Sequence, residues 1–202
     1  MSSGEIRQLE KEIWEQTVRL EMLRKNNKAT KVKNYQLQTL GGKTSLMDCF
    51  AGKDKMLVIH NMGQNCRWCT AWGDVINAAL PYLESEFSVV LVSGDVPQAQ
   101  RTFALSRHWD FRMVSHINNE YISEQSIISG EKNIPGIVCY ERSGENIMRK
   151  NSSPFYPGDA FNPIFHLLSV GGVGLKEFKP QFNYWNKPEK LDESMAQFHV
   201  SH

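Results

Sequence analysis

The residues that most directly suggest chemistry are two cysteines separated by two residues. Cys66-Arg67-Trp68-Cys69 follows a short apolar run and opens a helical pattern. A thiol at the start of a helix faces unpaired backbone N–H groups and the positive end of the helix dipole, which stabilise its thiolate. Arg67 adds a nearby cation. Because the second sulfur can resolve a mixed disulfide formed at the first, the pair predicts thiol–disulfide redox chemistry.

Zinc binding is the main alternative use of such a pair. A structural zinc site normally has four ligands, often from two such pairs. Cys49 and Cys139 are isolated, and His60 or His116 could be recruited only by folding, since the sequence has no second Cys-x2-Cys and no His-x3-5-His. We therefore expect no metal. A pair kept only for packing is the third possibility, and we expect Cys49 and Cys139 to be buried and unreactive.

Composition narrows the classes of protein to which the chain can belong. Of its 202 residues, 41% are hydrophobic, and 23 Lys and Arg nearly balance 22 Asp and Glu. That content excludes global disorder, and the balance argues against binding to nucleic acid or to an anionic membrane. No run approaches the ~18 apolar residues of a membrane span, and the polar N-terminus lacks the pattern of a secretory signal, so we expect a cytoplasmic location.

The middle of the chain alternates between compact apolar runs, typical of buried strands, and helical periodicity. In order, the pattern predicts a strand at 35–40, a short helix at 45–51, a strand at 56–60, a helix at 66–86, a strand at 87–92, a helix at 97–108 and a short strand at 111–115. This alternation predicts an α/β fold in which a mixed sheet is covered on both faces.

The second half of the chain begins with a polar, loop-rich segment at 116–133. Pro135 then precedes a hairpin whose strands, 136–142 and 146–150, are joined by a turn at Ser143-Gly144. A last helix is expected from about Asp159 to Ser169, with Asp159 as its N-cap.

The N-terminal segment predicts one long helix over 5–28. Its apolar positions follow coiled-coil spacing with one polar member: Ile6, Leu9, Ile13, Gln16, Leu20 and Leu23. Such a stripe either packs on its own domain or forms a homodimer contact, and the sequence leaves both open. We therefore divide the chain into a helical extension at 1–33, a main domain at 34–185 and a tail at 186–202.

From about Tyr35 to Trp185 the sequence resembles the bacterial thioredoxin-like proteins grouped as domain-of-unknown-function family 899, distant relatives of the peroxiredoxins. The matching segments are Ser45-Leu-Met-Asp48, Leu57-Val-Ile-His60, Cys66 to Cys69 with Trp72, the hairpin after Pro135, and a C-terminal signature, Asp159-Ala-Phe-Asn-Pro-Ile-Phe-His-Leu-Leu168 with Gly174 and Phe178 to Tyr184. The resemblance implies a thioredoxin-like fold, a central mixed sheet flanked by helices, with an N-terminal helical extension. The family carries no assigned activity.

A thioredoxin-like fold gives several residues an expected place. In that fold a cis proline before the third core strand lies against the active cysteines, and Pro135 stands where this proline is expected. His60, Arg67 and Trp68 are the candidates for a substrate groove, although a histidine at the end of a strand is more often structural. Trp68 and Trp72 could frame a substrate surface, although a tryptophan at such a position more often belongs to the core.

Two departures from the peroxiredoxin pattern guide the functional hypothesis. Peroxiredoxins carry Pro-x3-Thr-x2-Cys around the peroxide-reactive thiol, whereas Ile59 and Gly63 occupy the proline and threonine positions before Cys66. We therefore predict a thiol–disulfide oxidoreductase without an organic cofactor, in which Cys66 attacks and Cys69 resolves. Its substrate would be a disulfide-bearing protein or a small-molecule thiol. An atypical thiol peroxidase and a non-catalytic binding or scaffold protein are the alternatives.

Overall fold

One mixed sheet of eight strands forms the centre of the described chain. The computed structural model describes residues 3–182 and residue 184. The strands are β1 (Thr30–Val32), β2 (Gln36–Thr39), β3 (Gly42–Ser45), β4 (Lys55–His60), β5 (Ser88–Ser93), β6 (Arg112–Ser115), β7 (Gly136–Ser143) and β8 (Asn146–Pro154). The helices are α1 (Ser3–Asn26), a 3-10 turn (Asp48–Phe50), α2 (Arg67–Leu83), α3 (Pro97–Arg107), α4 (Tyr121–Glu124) and α5 (Pro163–Val170).

The strand order is β1-β8-β7-β4-β5-β6-β2-β3. β4, β5 and β6 are parallel and are connected through α2 and α3, whereas the flanking strands pair antiparallel. This arrangement confirms the predicted α/β class. The carboxyl ends of the three parallel strands meet at one edge of the sheet, which is where open α/β sheets place their ligands.

Alternation along the central strands divides the core into two layers. Val58 and Val90 lie in a cluster on one face of the sheet. Their neighbours Ile59 and Leu91 lie in a second cluster, which contains Ile76 of α2. Successive side chains of a strand point to opposite faces, so continuous apolar runs such as 56–60 are explained by burial on both sides.

A chain of buried polar side chains crosses the first of these layers. The ring Nε2 of His60 lies 3.0 Å from the hydroxyl of Tyr121, which lies 3.2 Å from that of Tyr140. Tyr140 donates to Gln125 Oε1, and Gln125 Nε2 donates to the hydroxyl of Tyr35 at 2.8 Å. Buried polar groups are costly unless paired, so this network fixes how the segment around α4 packs under the sheet.

The segment predicted as a helix over 45–51 is mostly not helical. Its first residue, Ser45, ends β3, which pairs with β2, and only a 3-10 turn at Asp48–Phe50 follows. The Asp48 carboxylate accepts hydrogen bonds from both the backbone and the hydroxyl of Ser45, at 2.9 and 2.8 Å. These local bonds compete with the helical ladder and hold the segment as a turn.

The last helix begins later than predicted, because the expected N-cap has other partners. α5 starts at Pro163, and the Asn162 side chain caps it by accepting from the backbone N–H of Ile164. The carboxylate of Asp159 accepts instead from the backbone N–H groups of Tyr156 and Phe161. It therefore organises the loop before the helix.

The N-terminal helix is present, but its apolar stripe does not pack on the domain. No described residue of α1 is buried, so intramolecular packing of its apolar stripe, one of the two interpretations above, is wrong. β1 lies within the segment assigned to the extension and pairs with β8 at the edge of the sheet. None of the described helices is long and apolar enough to cross a membrane. The predicted tail, 186–202, lies outside the described residues.

Burial of His60 predicts a pH dependence of stability. Burial lowers the pKa of this imidazole from 6.5 to about 3. Between these values the unfolded chain binds a proton that the folded chain does not, so stability decreases as the pH falls through this window. We expect the free energy of unfolding of the native protein, relative to that of His60→Gln, to fall by up to about 1.4 kcal/mol per pH unit below pH ~6.

Urea unfolding between pH 7 and 4 measures this difference. The variant His166→Gln removes an exposed histidine and serves as the control, since it should track the native protein throughout. Parallel pH profiles for the native protein and His60→Gln would contradict the assignment of a buried neutral imidazole.

Candidate functional site

The cysteine pair lies at the junction of β4 and α2, at the carboxyl edge of the parallel strands. Cys66 is the N-cap of α2, in extended backbone conformation, and Cys69 lies in the first turn. The backbone carbonyl of Cys66 accepts from both the backbone N–H and the hydroxyl of Thr70, at 2.9 and 3.0 Å. The first cysteine is thus fixed where the unpaired N–H groups of the helix converge.

The loop that delivers Cys66 to this position is fastened to the neighbouring strand ends. The Asn61 side chain accepts from the backbone N–H of Gly63 at 2.8 Å. The carboxylate of Asp95, which follows β5, accepts from the backbone N–H of Gln64 at 2.8 Å. The half-buried Asp95 carboxylate therefore ties this loop to the end of β5 and restricts its movement.

Gly63 is required at its place by both conformation and space. Its φ is +109°, in the region that favours glycine, and a Cβ here would lie 2.9 Å from Asp95 Oδ2. Any larger residue would have to displace the carboxylate that holds the loop.

Hydrogen bonds and charge lower the pKa of Cys66 below its ordinary value. The largest cause is a hydrogen bond from the thiol of Cys69; the backbone N–H groups of Cys69 and Trp68 and the charge of Arg67 add to it, while burial opposes them. The backbone N–H of Cys69 lies 3.1 Å from the Cys66 sulfur. These donors stabilise the thiolate, the nucleophilic form of a cysteine.

The pKa of Cys69 is shifted in the opposite direction. Its side chain is 3% exposed. Burial raises the pKa of this thiol well above its ordinary value, and the neighbouring Cys66 raises it further. The pKa values of the two thiols are therefore shifted in opposite directions. That of the half-buried Cys66 is lowered, whereas that of the buried Cys69 is raised, which favours its protonated form.

Aromatic side chains from the C-terminal segment cover the first turns of α2. Trp68 is half-buried and stacks on Phe165 with ring centroids 6.1 Å apart. Trp72 is buried, and its indole Nε1 donates to Asp159 Oδ2 at 3.0 Å. The Asp159–Leu168 signature thus lies against the helix that carries the cysteines, and Trp72 belongs to the core.

The structure brings Pro135 to the same edge of the sheet. Gly136 pairs with His60, so Pro135 lies level with the loop that follows β4. Its carbonyl accepts from the backbone N–H of Phe155 at 2.9 Å. The peptide bond before Pro135 is trans, so the expected cis bond is wrong for this chain.

His60 does not line an accessible groove. Its side chain is 1% exposed and lies in the buried network beneath the sheet. The alternation of β4 explains this position, because His60 shares a face with Val58 and the first core cluster, opposite the face covered by α2. The structure therefore assigns His60 to the core.

The two other cysteines differ from the pair. Burial raises the pKa of Cys49 and of Cys139 to about 11, although Cys139 is only half-buried. All four cysteines, including Cys66 and Cys69, are free thiols in the structure. Within the described residues, no group of three or more His, Cys, Asp or Glu side chains is placed to hold a metal ion.

Sequence reasoning missed Asp95 and the role of Asp159. Asp95 follows β5 directly, and the carboxyl ends of neighbouring parallel strands meet at one edge, so that position was a usable signal. The sequence offers no signal for the role of Asp159, because its hydrogen bond to Trp72 joins residues that are 87 positions apart.

Structural comparison shows the same fold in proteins of distant sequence. A peroxiredoxin-like protein from Aquifex aeolicus is similar with a TM-score of 0.51 and 16% identity, over 62% of this chain and 74% of that one. Peroxiredoxin Q from Xanthomonas campestris gives a TM-score of 0.50 at 16% identity, over 67% and 90%. A thiol:disulfide interchange protein from Bacteroides sp. gives 0.50 at 18%, over 74% and 92%. These similarities establish a thioredoxin-like fold.

Sequence comparison gives a family but no characterised relative. No protein of curated function matches the chain significantly. Residues 5–191 match the family described as "Bacterial protein of unknown function (DUF899)". The match covers α1 except for its first two residues, and all the described residues after it. The chain belongs to the bacterial family DUF899.

Proposed function

We propose that this protein is a thiol–disulfide oxidoreductase that transfers two electrons through Cys66 and Cys69. The observation that carries the proposal is the opposite shift of the two thiols: the pKa of Cys66 is lowered at the helix N-cap and that of Cys69 is raised by burial. A partly exposed thiol of lowered pKa next to a buried thiol of raised pKa is the arrangement that two-step disulfide exchange requires.

The first step forms a mixed disulfide. The Cys66 thiolate attacks one sulfur of a substrate disulfide, a new S–S bond forms, and the other substrate sulfur leaves as a thiolate. The N–H of Cys69, 3.1 Å from the Cys66 sulfur, steadies the attacking charge before the bond forms.

The second step releases the substrate. Cys69 transfers its proton to the departing thiolate or to solvent and attacks the Cys66 sulfur, which breaks the mixed disulfide. Two electrons have then passed from the dithiol to the substrate, and the protein holds a Cys66–Cys69 disulfide. An external thiol must reduce it again. Burial, the largest cause of the raised pKa of Cys69, persists, but once Cys66 is bonded to substrate its negative charge no longer raises that pKa, which favours this deprotonation.

The surface around Cys66 suits a disulfide-bearing protein or a small-molecule thiol. Arg67 and Trp68 are both half-buried beside it, and Pro135 is brought to the same edge of the sheet. A planar aromatic face and a cation provide apolar and charged contacts for an extended substrate segment. We assign these three residues to the substrate groove.

The peroxidase alternative lacks a specific feature. The Cβ of a threonine at position 63 would lie 2.9 Å from Asp95 Oδ2, which is too close. The φ of +109° at this position is also one that favours glycine. The loop geometry is therefore built for glycine and not for the peroxide-binding threonine. One structural neighbour, the Bacteroides protein, is named a thiol:disulfide interchange protein, which agrees with the proposed exchange activity.

Trapping with oxidised glutathione tests the roles of the two cysteines. Cys69→Ser should accumulate a stable mixed disulfide at Cys66, because the resolving thiol is missing. Cys66→Ser should trap at least about tenfold less at Cys69, since a buried thiol of raised pKa supplies little thiolate. Mass spectrometry after acid quenching measures both.

Cys139→Ser provides the matched control, since it removes a half-buried thiol outside the pair and should leave the native exchange rate unchanged. Equal trapping at both positions would contradict the assigned roles. No trapping in any folded variant would leave the non-catalytic binding protein as the better explanation.

The pH dependence of alkylation tests the cause of the low Cys66 pKa. Because the Cys69 thiol is its largest contributor, Cys69→Ala should raise the alkylation midpoint of Cys66 more than Arg67→Gln does. Cys69→Ser retains a hydroxyl donor and should raise it less than Cys69→Ala. Iodoacetamide rates at the Cys66 peptide give the midpoints.

Arg7→Gln removes a cation from α1 instead, and should leave the midpoint of Cys66 unchanged. A larger shift in Arg67→Gln than in Cys69→Ala would show that charge, and not the thiol hydrogen bond, controls this pKa.

A further inference from the structure

The N-terminal helix presents an apolar seam that nothing in the described chain covers. The five apolar residues of the seam are each 44–61% exposed: Ile6, Leu9, Ile13, Leu20 and Leu23. Together with Gln16 they follow heptad spacing along the helix, with positions 6, 13 and 20 as a and positions 9, 16 and 23 as d. Exposed contiguous apolar patches of this kind mark interaction surfaces.

The contacts that hold α1 to the domain lie at its C-terminal end. The Arg24 guanidinium donates to Ser153 Oγ and lies over the ring of Phe161. Just beyond the helix, the Asn27 side chain donates to the backbone carbonyl of Lys150 at 2.8 Å. The end of the helix is therefore anchored on β8, while the seam before it has no buried member.

We propose that α1 pairs with α1 of a second copy of this chain in an antiparallel coiled coil. Most helical stability in proteins comes from packing of an apolar face, and isolated helices are marginal in water. A 24-residue helix without one buried residue therefore lacks its main source of stability until a partner covers the seam. The charges beside the seam identify both the partner and its direction.

A parallel pair is disfavoured by its flanking charges. In parallel coiled coils each g residue faces the e residue five positions later on the partner. Here that rule would oppose Glu5 to the partner's Glu10 and Arg19 to the partner's Arg24, each twice by symmetry. Like charges at these positions destabilise the pair.

An antiparallel pair removes these repulsions and gains an attraction. When a positions face d positions of the partner, Ile6 lies opposite Leu23 and Leu9 opposite Leu20. The g positions then face each other, so that Glu12 lies beside the partner's Arg19 twice. An acidic flanking residue of each helix thus meets a basic flanking residue of the other, which is the complementarity that specifies orientation.

The antiparallel arrangement determines where the two domains of the dimer lie. Each domain is anchored at the C-terminal end of its own helix, and the helix is about 36 Å long at 1.5 Å per residue. The two domains would therefore lie at opposite ends of the helix pair, and neither cysteine site would need a residue from the other copy. The proposal is independent of the proposed redox function.

Sedimentation of the full chain tests whether the seam forms the dimer. The native protein should be dimeric at about 100 µM, a concentration at which any micromolar complex is populated. Leu9→Glu should raise the dimer dissociation constant by about 100-fold or more, because it places a charge in the seam of both copies.

Met22→Glu is the matched control, because Met22 is 55% exposed on the same helix but lies outside the seam. It belongs to a second, shorter apolar row with Trp14 and Val18 on the other side of the helix. Retention of the dimer in Met22→Glu supports the seam. A monomeric native protein, or a dimer broken by Met22→Glu and not by Leu9→Glu, would overturn it.

Charge reversal tests the direction. Arg19→Glu should weaken an antiparallel dimer about tenfold, since the new carboxylate would face the partner's Glu12. The double variant Glu12→Arg with Arg19→Glu should restore the native dissociation constant. A parallel dimer would instead be strengthened by Arg19→Glu alone, and that result would overturn the proposed orientation. Far-UV circular dichroism and Cys66 alkylation establish that each variant is folded.

Discussion

The hydrogen bonds that converge on the Cys66 sulfur are the interaction on which the proposed chemistry depends. The backbone N–H and the thiol of Cys69 both donate to this sulfur, and the start of α2 adds the positive end of its dipole. Burial is the main reason that the pKa of Cys69 is raised, and the same contact that stabilises a thiolate on Cys66 raises it further. One local geometry thus shifts the pKa values of the proposed nucleophile and the proposed resolving thiol in opposite directions, which is why the two-residue spacing matters.

The rest of the domain holds that geometry in place. From the sheet side, Asp95 at the end of β5 fixes the loop before Cys66, and Gly63 leaves the room that the carboxylate occupies. From the outer side, Asp159 binds the indole of Trp72 and Phe165 stacks on Trp68. The C-terminal segment Asp159–Leu168 is therefore a structural cover for α2.

Local patterns were sufficient to predict the parts of the fold that have strong periodicity. The buried strand 56–60, the helix after it and the cysteine pair between them are placed as expected, because apolar runs and thiol spacing are local signals. β1 was missed because Thr30–Val32 is a strand only through its pairing with β8. The early start predicted for α5 failed because the Asp159 carboxylate accepts from the backbone N–H groups of its own loop and from Trp72, and the contact with Trp72 is one that no spacing reveals. His60 was misplaced because the exposure of one side of a strand depends on what packs against it, and here Tyr121 of α4 covers that side.

The reduction of the cysteine pair, followed in glutathione buffers of graded potential, tests the central claim most directly. Peptide mass spectrometry at each potential reports which cysteines are linked, and elemental analysis of the same sample reports zinc. The account predicts a single two-electron transition in which Cys66 and Cys69 form a disulfide while Cys49 and Cys139 remain thiols. A folded protein in which the pair never oxidises, or in which it holds stoichiometric zinc, would contradict it.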